Sequence, residues 1–386
     1  MTPTLDILAR LVGFDTTSAK SNLALIDFAQ EFLAQRGFQT HRLPDATGQK
    51  AGLFASLGPA GKGVLLSGHT DVVPTTGQNW THDPFTLTHH NGRAYGRGTT
   101  DMKGFIACTL ALADRAARMD LAEPLKIALS YDEEIGCVGI QHLIGDLERT
   151  IGLPRACLVG EPTDMQVVIG HKGKAALRAT FHGTSGHSSL APRYLNALYI
   201  AGDFMAELRK IQNVFATVGA RDEAYDIPYS TLHIGQLTGG TVLNIVPDRA
   251  EMVFEYRHVA ADRPADILSR INQAAEQVQD NYRTHFPDVK IEIAQFNAYP
   301  GLDVPPDAEI TRLVQHLAQT NQTTKVAYGT EAGFFDALGI PTVVCGPGSM
   351  EGQGHKADEY VTVEQLTACD RMLDRLLDTL RKPLDS

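Results

Sequence analysis

The order of apolar patterns along the chain predicts an α/β fold, a mixed, mostly parallel sheet with helices on both faces, interrupted by a second, α+β module. Three observations carry this expectation. Short apolar runs alternate with Ala/Leu-rich helical patterns over residues 51 to 162, the middle of the chain changes style, and the alternation returns after Pro300. With 386 residues, 43% of them hydrophobic, the chain is too long for one ordinary core and has room for two domains.

The N-terminal stretch MTPTLDILARLVGFDTTS reads as an amphipathic helix capped by Thr4, and Asp6 and Arg10 interrupt its apolar residues, so it is not a signal peptide. Strands follow at 53–57, 64–67, 125–131 and 157–159, with helices near 104–119 and 138–150. The middle reads strand 174–182, helix 193–213, strands 231–237 and 248–257, helix 264–284 and strand 289–296. This βαββαβ order is the split βαβ of a ferredoxin-like module. A helix near 307–320, a strand at 342–345, a glycine-rich loop and a helix over 363–381 complete the chain. The expected domains are 1–173 with 298–386, discontinuous in sequence, and an insert at 174–297.

The net charge of −11 argues against nucleic acid or an anionic membrane as partner and leaves a small cationic substrate welcome. Five cysteines, an odd and widely spaced set without CxxC pairing, favour reduced thiols in a cytoplasm over a disulfide framework. No apolar run approaches the length of a membrane span.

Chemistry concentrates in five short segments, SGHTD (67–71), GTTDMKG (98–104), YDEE (131–134), GEP (160–162) and GHK (354–356). His69 and Asp71, two apart after an apolar strand, point to one side, so Asp71 can hold the imidazole of His69 by its outer ring nitrogen. Asp101 has two oxygens and can bridge two metals, although an Asp here also suits a helix N-cap. Glu133 and Glu134 follow a strand and face opposite ways, so one can ligate a metal while its neighbour reaches a bound water; an acidic first helical turn is the plain alternative. Glu161 follows an apolar run and is kept out of any helix by Pro162, and His355 sits in a glycine-rich loop. Each is ordinary alone. Five such groups, each just past the carboxyl end of a candidate parallel strand, match the place where open α/β sheets bind ligands, and imidazoles mixed with carboxylates suit zinc, cobalt or manganese. The glycines at 96, 98 and 104 do not match GxGxxG, which disfavours a nucleotide cofactor.

Taken together, SGHTDVVP, YGRGTTDMKG, DEEIG, GEPT, TSGHSS, NIVPD and GHKADEY resemble the co-catalytic zinc amidohydrolases that include acetylornithine deacetylase, succinyl-diaminopimelate desuccinylase, aminoacylase and carboxypeptidase G. The resemblance covers nearly the whole chain, in the family's order. It implies a zinc-exopeptidase-like catalytic domain with two Zn2+ per subunit, replaceable by Co2+: His69, Asp101 and Glu161 on one ion, Asp101, Glu134 and His355 on the other, with the ions roughly 3.5 to 4 Å apart. It further implies Glu133 as general base, Asp71 as the support of His69, and His187 of TSGHSS reaching the site from the partner subunit of a homodimer formed through the insert. Asn244 and Arg257 would take the carboxylate of an N-acyl amino acid, a surface ion pair being the plainer role for Arg257. The segment YGTEAGFFDALGIPTVVCGPGS resembles the acetylornithine deacetylases more than the desuccinylases. That implies a cytoplasmic role in arginine biosynthesis and places Glu331 where it could receive the ornithine ammonium group.

Overall fold

The computed structural model describes residues 2–383. In chain order the elements are α1 (Pro3–Val12), α2 (Leu23–Ala34), β1 (Gln39–Pro44), β2 (Ala51–Leu57), β3 (Val64–His69), β4 (Thr88–His90), β5 (Arg93–Tyr95), α3 (Lys103–Ala116), β6 (Leu125–Ser130), α4 (Val138–Leu143), α5 (Leu147–Ile151), β7 (Ala156–Val159) and β8 (Val167–His171). Then come β9 (Gly173–His182), α6 (Ala197–Val218), β10 (Thr231–Gly239), β11 (Arg249–His258), α7 (Pro264–Arg283) and β12 (Lys290–Tyr299). The last group is β13 (Leu302–Asp303), α8 (Glu309–Ala318), β14 (Thr323–Val326), α9 (Ala332–Ala337), β15 (Thr342–Val344), β16 (Tyr360–Thr362) and α10 (Val363–Leu380). The chain forms two compact units, the first from residues up to 170, 302–325 and from 330 onward, the second from 171–301 with 326–329.

The large sheet of the first unit has the order β1-β2-β6-β3-β7-β15-β8-β13, with β14 paired to β8. Its centre is parallel, since β3 runs parallel to β6 and β7, and β15 parallel to β7, while β1, β2 and β8 add antiparallel pairs toward the edges. Every residue of β3, β6 and β7 is buried, as central strands covered on both faces require. Helix α3 is buried almost all round and packs against α1 and α10.

Two local expectations are corrected. The N-cap of α1 is Thr2, whose hydroxyl accepts from Leu5 N at 3.3 Å ahead of Pro3 at the first helical position; Thr4 is instead buried and donates to Asp370 at 2.7 Å. The single helix expected over 138–150 is split into α4 and α5 by a 3₁₀ turn at Ile144–Asp146, where Gly145 and Asp146 favour the helix least.

The second unit follows the βαββαβ order and forms a four-stranded antiparallel sheet, β10-β11-β9-β12. In β11 burial alternates strictly, so Ala250, Met252, Phe254 and Tyr256 enter the core while the residues between them face out. Helices α6 and α7 cover that face through Ile200, Phe204, Leu208, Ile267 and Ile271. The fold class read from the sequence therefore holds in both its parts.

Candidate metal centre

The parallel centre of the large sheet points its carboxyl ends to one place. His69 is the last residue of β3, Glu133 and Glu134 follow β6, and Glu161 follows β7, the two neighbours of β3. Asp101 departs from the sequence reading. It does not follow a strand of this sheet but lies between β5, in a small antiparallel sheet of β16-β5-β4, and α3. Nor does it cap α3, whose N-cap position is Met102. His355 lies eleven residues beyond β15 in a loop, with φ 58°.

These side chains converge. Asp101 turns one oxygen to each imidazole, Oδ1 to His69 Nε2 at 3.0 Å and Oδ2 to His355 Nε2 at 3.0 Å. Glu161 Oε2 stands 3.7 Å from His69 Nε2, and Glu134 Oε2 stands 3.0 Å from His355 Nε2. Donor atoms of His69, Asp101 and Glu134 lie within 4.8 Å of one another, as do those of His69, Glu133 and Glu161, so the two adjacent glutamates fall into different donor groups that share His69.

Asp71 supports the arrangement. His69 Nδ1 lies 3.0 Å from the Asp71 backbone oxygen and 3.4 Å from its carboxylate, which fixes the ring with Nε2 toward Asp101. The same carboxylate accepts from Ser18 Oγ at 2.7 Å and from the backbone N–H groups of Glu133 and Glu134 at 3.0 and 3.3 Å. One buried side chain thus sets both the imidazole and the turn that presents the glutamates. Sequence reasoning missed Cys137, whose thiol donates to Glu133 Oε1 at 3.3 Å.

The donors fit a metal on two counts. Separations of 3.0 to 3.7 Å bracket the roughly 3.4 Å that two bonds of about 2.1 Å subtend at a tetrahedral angle. The electrostatics agree. Burial, then the charge of Asp101, raises Glu134 to about 7, and burial with the charge of Glu161 raises Glu133 well above the usual carboxylate range. Burial opposes charge on His69, yet Glu161 and Asp101 hold it as a cation, and hydrogen bonds to Asp101 and Glu134 lift His355 to about 10. The two imidazolium groups stand in for positive charge that this crowd of carboxylates demands and that bound cations would supply.

Glu331, at the start of α9, is 1% exposed, and its Oε1 has no hydrogen-bond partner among the described residues. Burial first, then the charges of Glu161 and Asp71, push its carboxyl up to about 8.

The remaining sequence candidates lie in the second unit. His187 is exposed and accepts from Ser189 N through Nδ1, and its backbone bridges to Ile245 beside Asn244, whose carbonyl accepts from Ser188 N at 3.0 Å. Asn244 precedes β11, whereas Arg257 lies at the far end of that strand, ion-paired to Glu255 at 3.0 Å and in reach of Tyr299 Oη and Ala327 O at 3.4 Å. Among the described residues no helix is long and apolar enough to cross a membrane.

Comparison with known proteins agrees with this geometry. Residues 65–379 match the model of peptidase family M20/M25/M40. The chain is 35% identical over 376 residues to an acetylornithine deacetylase of Myxococcus xanthus, covering 95% of each chain, and 33% identical over 367 residues to one of Salmonella heidelberg, covering 93% of each. Its fold is shared with an M20 family metallo-carboxypeptidase of Sulfolobus solfataricus (TM-score 0.78, 17% identity, 98% of this chain and 99% of the other). It is shared as well with a dinuclear metal-binding M20 peptidase of Bacillus subtilis (TM-score 0.66, 15% identity, 98% of each chain). Sequence, fold and donor set lead to one assignment: the chain belongs to peptidase family M20/M25/M40 and is a metal-dependent hydrolase.

Proposed function

We propose that the protein hydrolyses the amide bond of N2-acetyl-L-ornithine to L-ornithine and acetate with two Zn2+ per subunit, Co2+ being able to replace them. The observation that carries this reading is the Asp101 carboxylate divided between two imidazoles within a buried set of glutamates, in a chain 35% identical to an acetylornithine deacetylase along 95% of its length. In this reading His69, Asp101 and Glu161 hold one ion, and Asp101, Glu134 and His355 the other.

Bound metal supplies a water of lowered pKa and polarises the amide carbonyl. The chain's own residues do the rest. Glu133, steadied by the Cys137 thiol, takes the proton of the attacking water as the oxygen joins the carbonyl carbon, and returns it to the nitrogen as the C–N bond breaks. Asp71 keeps His69 in one tautomer throughout. His187 donates to the developing oxyanion, and Asn244 and Arg257 take the substrate carboxylate.

This assignment of roles calls for a homodimer formed through the second unit. His187 and Asn244 lie near one end of β11 and Arg257 near the other, and a ten-residue strand spans roughly 30 Å. One carboxylate cannot span that distance, which supports drawing His187 and Asn244 from a second copy. The second unit also exposes Tyr199 (67%), Val242 (55%) and Leu243 (99%), apolar surface of the kind a partner covers. Glu331 argues for the ornithine side chain, because a buried carboxyl oxygen without a partner among the described residues is matched by an ammonium group, whose charge would draw it into its ionised form. Five buried, unpaired cysteines suit a reducing cytoplasm.

Amine release from N-acetylornithine by zinc- or cobalt-loaded protein, with Glu133→Ala alongside, tests the reading. Release by the parent that vanishes in the variant is the expected result. Metal uptake without release would overturn the substrate and direct attention to succinylated and peptide amides.

A further inference from the structure

Arg97 and Glu359 form an ion pair with both side chains 1% exposed, at 2.6 Å between Nη1 and Oε2. Removing two charges from water costs several kcal/mol per ion, and such a pair often adds little net stability over apolar residues of the same size. What the pair touches accounts for it better than stability does. The other oxygen of Glu359, Oε1, accepts the backbone N–H groups of Thr100 and Asp101 at 2.9 and 3.1 Å, and its carbonyl accepts from Gly96 N at 2.9 Å. The loop that carries Asp101 is therefore pinned to the loop that carries His355.

Arg97 extends the same joint. Nη1 also reaches Lys356 O at 3.4 Å, one residue after His355, while Nη2 donates to Gln78 Oε1 and reaches Pro74 O at 3.4 Å. Gln78 in turn donates to His355 O at 3.3 Å and accepts from Trp80 Nε1, and the Arg97 guanidinium lies 5.0 Å from the Trp80 ring centre. The segment from 345 to 359 contains no strand or helix, and within it His355 and Asp358 hold positive φ of 58° and 54°. Non-glycine residues keep that conformation only where their surroundings over-determine it. Asp358 is held by Thr81 N and Oγ1 at 2.9 and 3.0 Å, and His355 by the contacts just described.

We infer that Arg97 and Glu359 are positioning residues, a buried clamp that sets the Asp101 backbone and the His355 loop at the separation the second metal ion needs before it binds. The inference rests on the assignment of Asp101, Glu134 and His355 to that ion. The clamp touches neither substrate nor metal, and it acts through the two ligands it spaces.

Cobalt(II) titration of the metal-free, full-length protein, followed by calorimetry and visible absorption, tests it on four proteins: the parent, His355→Ala, Glu359→Gln and Arg97→Lys. The parent takes two equivalents, and His355→Ala loses one, which identifies the ion in question. Glu359→Gln keeps an acceptor but not the charge, and Arg97→Lys keeps the charge but not the fork. Each should weaken the equivalent that His355→Ala loses by about 10- to 100-fold, and weaken the other, which shares only Asp101 with it, by less; equal weakening of both would overturn the inference. Near-UV circular dichroism verifies the fold, and if Glu359→Gln does not fold, Arg97→Lys gives the same reading. Variants that match the parent in both equivalents, or that only melt at a lower temperature with both affinities intact, would overturn the inference while leaving the metal assignment standing. A parent without two equivalents, or His355→Ala with both, would remove the assignment and the inference together.

Discussion

Asp101 has the shortest acidic side chain available, and its two oxygens face two different imidazoles at equal distances of 3.0 Å. A glutamate there would carry its oxygens one bond further and could not keep both distances without moving the backbone that Glu359 holds. Glu331 shows the complementary case, a buried carboxyl raised to about 8, with one oxygen left without a hydrogen-bond partner among the described residues. Glu331→Gln should raise KM for acetylornithine by about 10- to 100-fold, the worth of a charge-assisted hydrogen bond, with a much smaller rise for acetylmethionine. Initial rates on the two substrates check this, and equal effects would remove Glu331 from substrate recognition. At this scale the sequence was most informative where imidazoles and carboxylates recur across several short segments, as for His69, Asp101, Glu133, Glu134, Glu161 and His355, none of which is distinctive alone. It was silent on Ser18, Arg97, Cys137 and Glu359. Ser18, Arg97 and Glu359 depend on partners 53 or 262 positions away along the chain, and no local spacing marks a residue whose partner is chosen by the tertiary fold, whereas Cys137, only four positions from Glu133, reads in sequence as one more buried thiol.

The elements that present these groups were legible in proportion to their periodicity. Buried central strands such as β3 and β6, and the alternating β11, carry strong patterns and were placed within a residue or two. The short edge pieces β4, β5 and β16 were not read, having three residues each, too few to express a period, and the position of Asp101 was misread for that reason. The junction of β8 and β9 offers a test of its own. His171, at the end of β8, is 1% exposed, with Nδ1 3.2 Å from Lys172 O and Nε2 without a partner among the described residues. Burial, and after it repulsion from the nearby His258 imidazole should that ring also take a proton, lower its pKa from 6.5 to about 4. The unfolded chain then binds more protons between those two values, so the stability that neutral His171 confers is complete above pH 6.5 and is lost as pH falls toward 4. His171→Gln should therefore shrink the drop in melting temperature between pH 7 and pH 5 by a few degrees. An equal drop in both proteins would mean that another group titrates.

For the whole molecule, the placement of His187 and Arg257 at opposite ends of β11 predicts that, in the homodimer proposed above, each active site is shared between subunits. His187→Ala and Glu133→Gln should each be inactive alone. Allowed to exchange subunits in equal amounts, they form mixed dimers in half of all cases, each with one complete site of two, so about a quarter of the parental activity returns. Assay of the mixture against each variant alone decides it, and no recovery would place His187 in its own subunit's site or in none. The order of strands has another bearing, on synthesis. β15 sits between β7 and β8 in the sheet although about 170 residues separate it from them in sequence. The nascent chain can close the second unit, nearly all of which is contiguous, while a gap remains in the middle of the first. Until residue 344 has been added that sheet is two fragments, and the loop bearing His355 comes later still. Early in translation the growing chain thus holds carboxylates with one imidazole and no second, and its capacity to hold the proposed pair of ions waits until residue 355 has been added.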